Sequence, residues 1–219
     1  MLARGVRLSL ICLLLVAPSL PALGDDAPLS FEFRVEDVRL GCSEDGVGYP
    51  VTLVIRTTVT NESDRRLILS REFSTGSHYR VASSPTRGAL GDYELEFSAM
   101  EVAPGDAPQP EFGPEPDPAR FVVVHPGSTY QTDVAQGLLA GNEQALAELA
   151  PGADGGFVLP GSHALQTTIR TWPHIFVEWG TTERLRRQWK PFGDLVTADV
   201  HTPFLWFDLP DRMLQCDAP

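Results

Sequence analysis

Alternation between hydrophobic and polar residues is the clearest pattern along this chain. Residues 31–40 (FEFRVEDVRL) alternate over ten positions, and residues 51–60 (VTLVIRTTVT) are rich in β-branched side chains. A period of two is typical of a strand with one buried face, and β-branched residues favour strands. We therefore predict two long strands here. One side of the second strand is expected to hold Val51, Leu53, Ile55, Thr57 and Val59.

Seven shorter segments continue the β pattern. They are residues 66–69, 78–82, 93–97, 121–125, 128–134, 164–172 and 202–209, with turns such as Pro126-Gly127 and Pro160-Gly161 between them. Many short strands separated by turn residues are typical of an antiparallel sandwich. The prediction is a mainly β protein, an antiparallel immunoglobulin-like β-sandwich with a Pro-rich loop and one or two short helices inserted.

A cluster of turn-forming residues lies between two of these strands. Residues 61–64 (NESD) carry short polar side chains that can bond the nearby backbone. Such a cluster between two apolar runs is typical of a hairpin. We therefore expect residues 51–60 and 66–69 to pair with each other across a four-residue connection.

Two stretches interrupt the strand pattern. Residues 101–120 hold six prolines and five acidic side chains, and proline cannot donate a backbone hydrogen bond to a sheet. We expect an exposed, semi-extended loop there. Residues 136–156 contain a short helical candidate at 143–150.

A stronger helix is predicted at residues 181–189, within an insertion spanning 173–193. Thr181 or Thr182 can cap its start, and basic side chains crowd its last turn, where they complement the helix dipole. Proline disfavours helical backbone in the residue before it, so Pro191 is expected to end the helix.

The first 24 residues show the three parts of an export signal. Arg4 and Arg7 make the start positive, residues 8–16 are apolar apart from one serine, and Ala22 and Gly24 are small at the two positions that a signal peptidase reads. The apolar run of about nine residues is too short to cross a hydrocarbon core of roughly 30 Å as a helix. We predict a signal peptide over 1–24, no stable membrane span after its cleavage, and a secreted or periplasmic protein.

The remaining residues, 25–219, are expected to form a single β-sandwich domain. Without Arg4 and Arg7, 15 of the 17 basic residues remain against 29 acidic ones, which gives a formal charge of −14. Such a surface repels the phosphates of nucleic acids, so we predict no nucleic-acid partner. Cys42 and Cys216 remain as an even pair, which in an exported protein predicts one disulfide.

Three motifs resemble those of a known exported domain. They are 59–64 (VTNESD), 126–130 (PGSTY) and 160–163 (PGSH). Their layout is similar to that of bacterial exported immunoglobulin-like domains, of which the BsuPI-type proteinase inhibitor domain is one member. The resemblance covers residues 51–172. It implies an immunoglobulin-like fold and hints at protein binding, whereas the Pro-rich loop and the helical insertion depart from such a compact inhibitor.

No motif of a catalytic or metal site stands out. The chain lacks nucleophile-elbow, zinc-protease, phosphate-loop and dinucleotide motifs, and its five histidines are dispersed. We therefore predict no catalytic residues, no metal ligands and no cofactor.

Residues 172–192 (WPHIFVEWGTTERLRRQWKPF) form a basic and aromatic stretch in an acidic protein. Three of the four tryptophans lie there, and tryptophan and arginine are the residues that anchor interfaces. One interpretation is a binding surface for an acidic protein or a glycan, with Trp179, Arg184 and Arg187 as its candidate residues. The other is packing, in which Trp172 and Trp189 dock the helix on the sandwich.

The function predicted from these features is that of an exported, non-catalytic binding module for another envelope or extracellular protein. A protease-inhibitor role is a special case, in which an exposed loop such as 101–120 enters a protease cleft. Two alternatives stay open. One is a carbohydrate- or small-ligand-binding module that uses its tryptophans as stacking platforms, and the other is an enzyme with an unrecognised site.

Overall fold

The computed structural model of the protein describes residues 29–42, 48–83, 94–98, 110–141, 158, 160–174 and 177–210. This part of the chain is mainly β, with one helix. The strands are β1 (Leu29–Leu40), β2 (Gly48–Asn61), β3 (Leu67–Ser70), β4 (Ser74–Ser83), β5 (Glu94–Ser98), β6 (Phe121–Val124), β7 (Thr129–Gly141), β8 (Gly161–Arg170), β9 (Asp194–Leu195), β10 (Asp199–His201) and β11 (Leu205–Leu209). The helix, α1, spans Trp179–Gln188 and lies between β8 and β9.

These strands form three sheets. The first has the order β1-β2-β7, and the second has the order β10-β8-β4-β5, with β11 also paired to β8. The third sheet, β6-β3-β9, is smaller. The pairs are antiparallel except for β3 and β9, which run parallel. The predicted mainly β fold with antiparallel sheets is confirmed, while the immunoglobulin-like strand order stays a prediction.

The main hydrophobic core contains the inner faces of the first two sheets. All five β2 residues predicted to share one side are buried, at 0–1% exposure. They face Val81 of β4 and Leu165 and Ile169 of β8, which belong to the same core. The period-two pattern therefore identified the buried face of the central strand correctly, because a strand covered on one side needs apolar residues at every second position.

Strand β3 is buried on both of its faces. Its four residues are all covered, with Leu67 and Leu69 in the main core. Ile68, between them, points to the other side and packs with Leu185 and Trp189 of α1. A short continuous apolar run is typical of a strand buried on both faces. The helix therefore covers the outer face of the third sheet.

The predicted hairpin between β2 and β3 is wrong. Strand β2 pairs with β1 and β7, whereas β3 pairs with β6 and β9 in another sheet. The buried Asn61 directs this crossing: its Nδ2 donates to the backbone oxygens of Arg65 (2.7 Å) and Val124 (2.9 Å), and its Oδ1 accepts from the Ser63 amide (3.0 Å). The same polar residues that favour a turn thus carry the chain from one sheet to the next.

Other element boundaries also differ from the prediction. Strand β7 continues through residues 136–141, which were assigned to an interruption. Strands β9 and β10 were not predicted, because two or three residues are too few to show a period. Helix α1 begins at Trp179 with Glu178 at its N-cap and no side-chain cap, so the predicted capping by Thr181 or Thr182 is wrong. Thr182 instead faces the buried side of the helix.

Several predictions concern residues outside the described ranges. These are the signal peptide at 1–24, the helical candidate at 143–150, and part of the Pro-rich loop at 101–109. Cys42 takes part in a disulfide. Its predicted partner, Cys216, lies outside the described residues, so the pairing of these two cysteines stays a prediction. Within the described ranges, no helix is long and apolar enough to cross a membrane.

Thr57 gives a prediction about the stability of the core. Its side chain is fully buried on β2, and its hydroxyl oxygen has no hydrogen-bond partner in the part of the chain that the structure describes. A buried hydroxyl without a partner lowers stability by about 1–3 kcal/mol relative to an apolar group of the same shape. We expect Thr57→Val to raise the free energy of unfolding by about 1 kcal/mol, measured by urea denaturation.

Thr167 on β8 provides the matched control for this prediction. It is also buried, but its hydroxyl donates to Oε1 of the buried Gln136 at 3.0 Å. Thr167→Val leaves that oxygen without its partner, so we expect a loss of about 1–3 kcal/mol. Equal changes in the two variants would contradict this account of the Thr57 hydroxyl.

Candidate functional site

Helix α1 has one buried side and one exposed side. Leu185 and Trp189, which follows the helix directly, are both 0% exposed, and Thr182 lies on the same side. These three residues are spaced by three and four positions, so they form one stripe along the helix. The stripe packs against the third sheet through Ile68 and Leu195. The helix is therefore packed on the third sheet along one side, and its opposite side faces solvent.

The exposed side of α1 carries all three predicted binding residues. Trp179 is 77% exposed, and Arg184 and Arg187 are also exposed. The two arginines are three positions apart, so they are neighbours on the helix surface. At 1.5 Å per residue, Trp179 lies about 7.5 Å from Arg184 along the helix axis. The structure thus brings these three residues together on one element.

Arg184 and Arg187 differ from the basic residues beside them. Arg186 pairs with Glu183 and donates to the hydroxyl of Thr197, while Lys190 pairs with Asp194. Within the described residues, Arg184 and Arg187 make no hydrogen bond or ion pair. Two neighbouring guanidinium groups are therefore free to bind another molecule.

The basic residues elsewhere in the described ranges have partners within the chain. On the outer face of the first sheet, Arg56 donates to both carboxylate oxygens of Asp133, at 2.9 and 3.1 Å, and to Glu36 at 3.0 Å. The hydrogen bonds from Arg56 hold the pKa of Asp133 below its ordinary value. Such pairing is what a chain with many more acidic than basic residues favours, and it makes the two free arginines of α1 exceptional.

An aromatic cluster lies beneath the helix. It consists of Phe112, Phe121, Trp172 and Trp189, whose ring centroids lie 4.9–6.2 Å apart in stacked, tilted and edge-on pairs. The packing interpretation of Trp172 and Trp189 is therefore confirmed: the first is 8% exposed and the second is fully buried. Their burial leaves Trp179 as the exposed tryptophan of this stretch.

The described end of the Pro-rich loop, residues 110–120, is tied to this cluster. Phe112 packs among the rings, and the backbone oxygen of Gly113 accepts from Trp189 Nε1 (3.2 Å) and Gln188 Nε2 (3.0 Å). Residues 110–120 form a loop that is mostly exposed, as predicted, but the loop is anchored by the partly buried Phe112, which the prolines around it do not reveal.

His174 and Arg120 meet at the edge of the aromatic cluster. Nη2 of Arg120 lies 3.4 Å from Nε2 of His174, and the guanidinium also sits over the ring of Phe112, 4.9 Å from its centroid. Arginine can only donate, so Nε2 of the neutral imidazole accepts this bond. Burial, together with the positive charge of Arg120, holds the pKa of His174 below its ordinary value.

Sequence reasoning did not single out this pair. The two residues lie 54 positions apart, and neither belongs to a recognisable motif. The one local signal is that each lies within two positions of an aromatic residue of the cluster, Arg120 next to Phe121 and His174 two residues after Trp172. The contact arises from tertiary packing, which a single sequence does not display.

Neither a group of metal ligands nor a match to a known family helps to define this site. No three His, Cys, Asp or Glu side chains of the described residues come together as metal ligands. Comparison of the chain with protein-family models and with curated proteins gives no match. The likeness to exported immunoglobulin-like domains therefore rests on the sequence motifs alone.

Proposed function

We propose that this protein is an exported binding module that recognises an acidic segment of another envelope or extracellular protein. Trp179, Arg184 and Arg187 would form the contact. The observation that carries the proposal is the exposed side of α1, where two arginines without partners among the described residues share the helix with a tryptophan that is 77% exposed. The chain has 29 acidic and 17 basic residues, so an unpaired basic pair is unexpected unless it serves a partner.

The chemistry of these side chains indicates the kind of partner. A guanidinium group binds carboxylates through a planar, two-pronged set of donors, and tryptophan supplies a large apolar surface at interfaces. The two together suit a peptide in which carboxylates lie near an apolar side chain. Because α1 is packed through Leu185 and Trp189, the backbone that carries these side chains is ordered before binding, which reduces part of the entropic cost of association.

The alternatives have less support from the geometry. A carbohydrate module with several stacking tryptophans does not suit this stretch, because Trp172 and Trp189 are buried in the aromatic cluster. An enzyme needs a general base near a reactive group. The contacts of His174 in the described structure are an arginine and aromatic rings, which offer neither a nucleophile nor an acid partner.

The test compares capture of proteins from the cell envelope by three forms of the mature chain. We expect the Arg184→Ala/Arg187→Ala variant to lose the partner that the wild type retains. If each arginine contributes roughly 1 kcal/mol, the double variant binds about 30-fold more weakly. Binding by the wild type should also weaken as salt rises, because exposed charges are screened.

The Arg34→Ala/Arg39→Ala variant is the matched control. Both of these arginines are exposed on β1, and the double change removes the same two positive charges from the first sheet. The control is expected to retain the partner. Equal loss in both double variants would show that total charge, rather than the α1 surface, determines binding, and it would overturn the proposal.

A further inference from the structure

We propose that the contact between Arg120 and His174 is a pH-sensitive switch that holds residues 110–120 against α1 at neutral pH and loosens them on acidification. The inference concerns the conformation of this segment and is independent of the function proposed for the exposed side of α1. It rests on the geometry of one contact and on what protonation does to it.

The contact is compatible with only one protonation state of the imidazole. Arg120 donates from Nη2 to His174 Nε2 across 3.4 Å, so the acceptor lone pair has to be free. When His174 takes up a proton, both nitrogens become donors and both side chains become cations. The hydrogen bond is then replaced by repulsion at the same distance.

His174 is partly buried, and its surroundings on balance disfavour its cation. The charged groups whose fields act on it are Arg120, in the turn before β6, and Glu72, in the loop between β3 and β4. The rings of Phe112 and Trp172 cover it at centroid distances of 5.5 and 4.9 Å. Glu72 favours the imidazolium, but burial and Arg120 oppose it, and their effect is the larger one.

The direction of the pH dependence follows from this balance. The pKa of His174 is lower in the folded protein than in a free side chain, where it is about 6.5. The stabilising contact is therefore complete above about pH 6.5, and it is lost progressively as the pH falls through the lower folded value.

Arg120 connects this change to the loop. Its side chain sits on Phe112 and donates to the backbone oxygen of Glu111 at 3.3 Å, and its own backbone oxygen accepts from the Arg71 amide at 2.8 Å. A displaced Arg120 side chain thus loosens Phe112 at one end and the backbone bond to Arg71 at the other. Helix α1 loses part of its cover when Phe112 moves.

Hydrogen exchange tests the switch. The protection factors of the backbone amides of Arg71, Arg120 and Phe121 are measured at about pH 7.5 and at successively lower pH, down to the lowest value at which the core stays folded, after correction for the intrinsic exchange rates. All three amides donate to this segment. We expect a fall of about fivefold at the lowest pH, the factor that corresponds to loss of one hydrogen bond. Amides of β2 such as Ile55 should keep their protection, because the core stays folded.

Three variants distinguish the switch from general acid destabilisation. His174→Gln cannot take up a proton, so its protection should not change with pH. Arg120→Gln carries no charge that an imidazolium could repel, so the fall in protection should be largely lost in this variant too. His201→Gln alters an exposed histidine on β10 and should behave like the wild type. A pH effect that survives in His174→Gln, a fall shared by Ile55, or no fall in the wild type would each overturn the proposal.

Discussion

Replacement of Trp189 by alanine is expected to lower the free energy of unfolding by about 3–5 kcal/mol, the range found when a large buried aromatic side chain is removed. Trp189 is fully buried, and it packs edge-on against Phe121 with ring centroids 4.9 Å apart. Its Nε1 also donates to the backbone oxygen of Gly113. The variant therefore leaves a cavity between α1 and the third sheet and releases one end of the Pro-rich loop.

Two further substitutions make the Trp189 prediction specific. Trp189→Phe keeps most of the ring packing but loses the bond to Gly113. It should therefore lower the free energy of unfolding clearly less than the alanine variant does. Trp179→Ala removes an exposed tryptophan of the same helix and should change stability by no more than about 0.5 kcal/mol. Equal losses for the two alanine variants, measured by denaturant unfolding, would contradict the assignment of Trp189 to packing.

Replacement of Asn61 by alanine is expected to lower the free energy of unfolding by about 3 kcal/mol. Its side chain makes three bonds to the backbone, to the carbonyls of Arg65 and Val124 and to the amide of Ser63. Each such bond contributes roughly 1 kcal/mol, and a buried partner left alone costs more. The variant removes all three at the point where the chain crosses from the first sheet to the third.

Ser63→Ala is the control for this crossing. It removes a hydroxyl that lies 2.6 Å from Asn61 Oδ1 and also contacts the exposed backbone of Arg65, but it leaves the two donor bonds of the asparagine in place. We expect a loss of about 1 kcal/mol or less. If Asn61→Ala lowers the free energy of unfolding in urea no more than Ser63→Ala does, the bonds to Arg65 and Val124 do not stabilise the passage of the chain from the first sheet to the third.

The faces of the strands could be predicted from the sequence, but several of their pairings could not. Alternation identifies the buried side of β2 because burial imposes a period of two on each strand separately. Pairing depends on contacts between distant segments, which is why the turn cluster at residues 61–64 was interpreted as a hairpin. Strands β9 and β10 could not be predicted because two and three residues are too few to show a period, and only their pairing with other strands makes them part of a sheet.

The residues of the candidate site could be predicted from the sequence, but which of them are buried or paired within the chain could not. The sequence favoured Trp172 and Trp189 for packing and Trp179 for binding but left both interpretations open, and the structure buries the first two and exposes the third. Likewise, Arg186 has partners within the chain whereas Arg184 and Arg187 have none among the described residues. That difference depends on Thr197 and on the direction each side chain leaves the helix.

The most direct test of the proposed binding surface is site-specific photo-crosslinking. A photoreactive phenylalanine analogue replaces Gly180, between Trp179 and the arginines, or Gly137 on the outer face of β7. A side chain added at either glycine meets open space, so the two positions are matched. The account predicts that position 180 crosslinks to a discrete envelope or extracellular protein and that position 137 does not. Crosslinks from position 137 with none from position 180 would contradict it.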